Sequence, residues 1–139
     1  MGFTIALVVY GLWPAEKGRP VSWVDLAPQV GSLQLTRERR QLFRSRSELT
    51  RSLRSLGAER RPTVDFQQRQ VLLLSPGPRS STDYALRVED VRDQGGRIVV
   101  TVRERTPELG ERVAARVTFP YRLLSLPAGK DVYVDWKGR

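Results

Sequence analysis

Apolar and polar residues alternate most regularly in the second half of the chain. In YALRVEDVRD, Tyr84, Leu86 and Val88 share one parity, and Arg87 and Glu89 share the other. In RIVVTVRERT, Ile98, Val100 and Val102 fall on one face. Such alternation marks a strand with one buried side. Strands are therefore expected over 84–91 and from Arg97 onward, joined by a hairpin turn at Gln94-Gly95-Gly96. Upstream, VDFQQRQVLLL ends in an unbroken apolar run, which predicts a strand around 70–74. Downstream, 107–111 reads as a loop and 113–119 as a strand stopped by Pro120. YRLLSLP and DVYVDW supply the last two strands.

One segment follows a helical period instead. Ser45 with Glu48 three residues later forms a capping box. Leu49, Leu53 and Leu56 recur as one stripe, and Gly57 supplies the stop. Arg46, Arg51 and Arg54 fall outside that stripe. Before it, a short strand is expected over 21–26 and another through LFRS, ending at Ser45. Residues 3–13, FTIALVVYGLW, are too few to span a bilayer as a helix. Their length suits the apolar part of a signal segment, a buried first strand or an interfacial anchor. The expected organisation is an apolar leader over 1–13 and a single β-rich domain over 14–139. The expected fold is mainly β, with one short helix and an antiparallel sheet or β-sandwich.

Composition narrows the chemistry. The chain has 139 residues, enough for one domain with a real core. It has no cysteine and no histidine. This removes a thiol nucleophile, a thiolate metal site, the usual general base and the commonest metal ligand. Neither GxGxxG nor GxxxxGK[ST] occurs. Acidic candidates near strand ends are Asp65, Asp83, Glu89 and Asp90, positions that turn-forming residues normally hold. The expectation is a non-enzymatic protein with no metal and no cofactor. There is also no asparagine, which points weakly to a hot habitat.

Net charge is +9, and of 24 basic residues three are lysine, leaving 21 arginines. Between Arg37 and Arg61 there are nine arginines against three glutamates. Arg37, Arg39, Arg40, Arg44, Arg46, Arg51 and Arg54 are therefore candidates for a polyanion or nucleic-acid surface. The stretch lacks stacking aromatics apart from Phe43. Arginines beside a leucine stripe are also the ordinary polar face of a surface helix.

The connection into strand 84–91 is unusual. SPGPRSSTDY puts Pro76, Gly77 and Pro78 ahead of a polar cluster, Ser80 to Asp83. It is either a tight turn or a recognition loop, since a loop stiffened in its bound shape has less order to lose on binding. Gly77, Arg79, Ser80, Ser81, Thr82, Asp83 and Tyr84 are the candidate partner-binding residues. They belong to a wider resemblance. SRSELTRSLRSLG, RPTVDFQQRQVLLL, GPRSSTDYALRVEDV and IVVTVRERTPELGERVAARVTFPYRLLSLP, in that order, resemble pieces of the PrcB family, the protease complex subunit, chiefly its C-terminal domain. The resemblance covers 45–139, about two-thirds of the chain. Gly77 and Tyr84 match the family loop, and Thr118, Pro120 and Tyr121 match its Thr-x-Pro-Tyr piece. Thr82 and Asp83 stand where the family loop has two glycines. The resemblance implies a non-catalytic partner of a secreted or cell-surface peptidase, located outside the cytoplasm. The loop type also resembles that of chagasin-like inhibitors of cysteine peptidases, by analogy of fold.

Overall fold

The computed structural model describes residues 18–108, 110 and 115–138. The expected leader over 1–13 lies outside the described residues, as do Val113 and Ala114 of the strand expected over 113–119. In chain order the elements are β1 (Arg19–Pro20), β2 (Val24–Asp25), α1 (Ala27–Val30), β3 (Arg39–Phe43), α2 (Arg46–Ser55) and β4 (Arg69–Ser75). They continue with β5 (Ala85–Gln94), β6 (Arg97–Arg105), β7 (Arg122–Pro127) and β8 (Val132–Lys137). The fold is mainly β. One sheet has the order β1-β5-β6-β8 and the other β2-β7-β4-β3.

The two sheets face each other across a core of Leu72, Leu74, Leu124 and Leu126 from one and Leu86, Val91, Ile98, Val100 and Val102 from the other. A second core lies on the far side of the β4-containing sheet. There Val71, Leu73 and Leu123 meet Leu49, Leu53 and Leu56 of α2 and its C-cap, with Leu26, Val30, Leu33 and Leu35. β4 is thus covered on both faces, which is why it reads VLLL rather than alternating. The helix forms as its sequence predicts. The Ser45 hydroxyl accepts from the Glu48 amide at 3.3 Å, and Gly57 takes φ 84° just beyond the last turn. The Glu48 carboxylate accepts from the Arg44 amide, one residue earlier than the capping box requires.

Four details differ from the pattern. Of the strand expected over 21–26 only β2 forms, and β1 just ahead of it belongs to the other sheet, so the chain changes sheets between them. It then enters α1, whose first turn holds Pro28, a position proline tolerates. In β5 the alternation slips at a bulge between Val88 and Asp90, and Val91 thereby returns to the core. β8 pairs with β6 in parallel rather than antiparallel, because β7 carries the chain through the other sheet first. Last, the described part of 113–119 is not a strand. It makes one bridge, Arg79 with Thr118. Extending that ladder would set Pro120 opposite Gly77, and proline has no amide to donate.

Candidate functional site

The loop from Ser75 to Tyr84 carries the chain from β4 in one sheet to β5 in the other. Its start is fixed by Ser75, whose hydroxyl donates to the Pro120 carbonyl at 2.9 Å and accepts from the Gly77 amide at 3.0 Å. Gly77 has φ 87°, and a Cβ there would lie 3.1 Å from backbone atoms of Arg37 and Glu38. Positive φ and close packing together explain glycine at this position. Arg79 then exchanges two backbone hydrogen bonds with Thr118, at 2.9 and 2.8 Å. The Thr118 hydroxyl adds a third tie, donating to the Ser81 carbonyl at 2.9 Å.

The Arg79 side chain turns inward. Its Nη2 donates to Glu104 Oε1 at 2.9 Å and its Nε to Oε2. The two side chains are 19% and 4% exposed. The hydrogen bond to Glu104 raises the Arg79 pKa above its ordinary value, against the opposing effect of burial. Nη1 also donates to the Pro78 carbonyl at 2.8 Å. Downstream, Arg105 Nη1 donates to the Asp83 carbonyl at 2.8 Å.

These bonds sort the seven loop candidates. Ser80 and Thr82 are exposed on the outside of the loop, with Pro78 beside them. Asp83 and Tyr84 are half-buried, and Gly77 and Ser81 are buried. Among the described residues the Ser81 hydroxyl has no hydrogen-bond partner. Arg79 holds the loop from inside. The presenting surface is therefore narrower than the polar cluster implies, and it rests on residues that the pattern did not single out, Glu104 and Arg105. For Glu104 the signal was present. It shares the parity of Ile98, Val100 and Val102, and a carboxylate on a core parity needs a cation beside it.

A groove of about 580 Å³ runs along the other side of Thr118, lined by Gly31, Ser32 and Leu33 on one bank and Arg116 to Tyr121 on the other. The Tyr121 hydroxyl donates to the Gly31 carbonyl and closes the groove floor. Burial, then the Asp25 carboxylate, push the Tyr121 pKa up to about 12, with Arg60 pulling the other way. Asp25 is itself held by Arg122 at 2.8 Å.

The arginine-rich candidates are dispersed by comparison. Arg37, Arg39 and Arg40 line one shallow groove with Glu38 and Gln41. Arg40 lies 4.8 Å over the Trp136 ring. Arg44 donates to Gln70 and pairs with Asp131. Arg46 donates to the Val64 carbonyl at 3.1 Å, while Arg51 and Arg54 are exposed on α2. Several of these guanidiniums therefore serve the fold. Among the described residues no group of three or more acidic side chains could hold a metal ion, and no helix is long and apolar enough to cross a membrane.

No curated protein and no solved structure matches the chain. The Val-Asp-Phe piece at 64–66 lies just upstream of β4. Residues 71–127, which run from β4 through the clamped loop and the Thr-x-Pro-Tyr piece to the end of β7, match the model of the PrcB C-terminal family.

Proposed function

We propose that this protein is a non-catalytic accessory subunit that docks on a peptidase outside the cytoplasm through the loop from Gly77 to Tyr84. One observation carries the reading. The loop is tied from behind by Ser75, Thr118, Glu104 and Arg105, and it leaves Ser80 and Thr82 on its outer surface. A loop held in one shape by internal bonds loses little conformational freedom on binding. The family match over this same segment supports a role connected with a protease complex.

The test is retention of partners on the tagged chain, washed at low and high salt and identified by mass spectrometry. A peptidase should stay bound at high salt to the native chain. It should be lost from the Ser80→Arg, Thr82→Arg double variant, whose substituted positions are exposed. A peptidase that binds both chains equally would end the loop assignment. Activity of the captured peptidase separates a stabilising subunit from a chagasin-like inhibitor.

A second reading has a narrower basis, the groove that Arg37, Arg39 and Arg40 line together. Binding of a polyanion there would fall steeply as salt rises. Retained nucleic acid or anionic polymer that washes away, with no peptidase present, would favour it.

A further inference from the structure

Around the bridge at Thr118, the backbone of 117–119 uses only one of its sides. Thr118 points its N–H and C=O at Arg79. In an antiparallel pair the flanking residues turn theirs to the opposite side. Val117 and Phe119 are those residues, and among the described residues neither backbone forms a hydrogen bond. Such unpaired backbone is a template for another strand. The groove that borders it has apolar walls in Leu33, Val117 and Phe119. Val117 is 64% exposed, the most exposed large apolar side chain among the described residues.

Among the described residues, arginines stand at both banks of the groove. Arg116 lines one bank. Arg60 reaches the other, with Nη2 3.2 Å from where a Cβ on Gly31 would stand. Both are exposed, and among the described residues neither forms an ion pair or hydrogen bond. Among the described residues no acidic side chain lines the groove. Asp25, whose carboxylate acts on Tyr121, is engaged by Arg122.

We infer that this groove takes an extended, acidic segment of a partner protein, added as a strand along 117–119. Main-chain hydrogen bonds to Val117 and Phe119 would fix the segment, and apolar side chains of one parity would enter the groove. Carboxylates would meet Arg60 and Arg116 at its two banks. This rests on the chain being a docking module, but not on its partner being a peptidase. It assigns a second contact beside Ser80 and Thr82, on the opposite side of the same Thr118.

The test uses a displayed library of random twelve-residue peptides selected on the immobilised full chain. Enrichment of acidic sequences with alternating apolar residues is expected. Arg60→Glu and Arg116→Glu, both surface changes, should each weaken the best peptide about tenfold. Methylating its backbone amides one at a time should abolish binding on one parity and spare it on the other. Enrichment of uncharged or basic peptides, affinity unchanged in both variants, equal tolerance of every methyl, or no enrichment at all would each overturn the inference. None of these results touches peptidase retention, which reads the loop reading separately.

Discussion

Arg79 is the residue on which the candidate site turns, and its side chain works from beneath the loop. Its guanidinium neutralises Glu104 beneath the loop, and its backbone holds Thr118. Arg79→Ala would take the guanidinium away from the buried Glu104 carboxylate, a loss of about 3–5 kcal/mol for a buried pair broken on one side. Arg79→Lys keeps the charge but not the two-pronged geometry, so it should recover only part of the loss. Urea denaturation of the two variants reads both values, and equal stability of Arg79→Ala and the native chain would refute the clamp. Tyr121 makes a different claim, about pH. Its pKa is pushed up to about 12 in the folded chain, against about 10 for an unperturbed tyrosine. The neutral phenol is the form that the fold favours. Its contribution is therefore complete below about pH 10 and is lost as pH rises toward 12. Over that window the urea midpoint of the native chain should fall faster than that of Tyr121→Phe. Parallel curves would remove the claim.

Among the elements, β4 and β6 show what a burial pattern does and does not reveal. β4 is covered by α2 on one face and by the second sheet on the other. Leu72→Ala and Leu73→Ala point to opposite sides, yet each should cost about 2–5 kcal/mol. In β6 only one face is covered, so Thr101→Ala should stay within about 0.5 kcal/mol. If Leu72 and Leu73 differed as sharply as Val100 and Thr101, the layered arrangement would be wrong. Strand periods, the Gln94-Gly95-Gly96 turn and the Ser45 cap were legible because each depends on neighbours in the sequence. The bulge at Glu89, the parallel partner of β6 and the single bridge at Thr118 were not. Each depends on what a distant segment offers, and proline at 120 matters only once Gly77 stands opposite. The loop was legible as a loop, from Pro76 to Pro78. Which of its residues face outward was not, because Glu104 and Arg105 decide it from a strand some twenty residues away.

At the scale of the molecule, the matched segment is not a self-sufficient unit. Residues 71–127 contain most of β4 and all of β5, β6 and β7, but the core behind β4 is completed by Leu26, Val30, Leu33, Leu35, Phe43, and the leucines of α2. The sheet edge beyond β6 is β8. A 71–127 fragment should therefore lack the cooperative thermal transition of the full chain, as followed by circular dichroism. A folded fragment would show that the upstream layer is an ornament. The path of the chain has one more effect. From β4 onward it visits the second sheet, the first, the first again, the second and the first. Each crossing sews the sheets together, and the clamped loop is the first stitch. Amide protons of Leu74 and Leu86, in different sheets, should thus exchange with solvent through shared openings rather than separate ones. A partner closing over Ser80 and Thr82 would slow both, and its grip could be read far from the surface it touches.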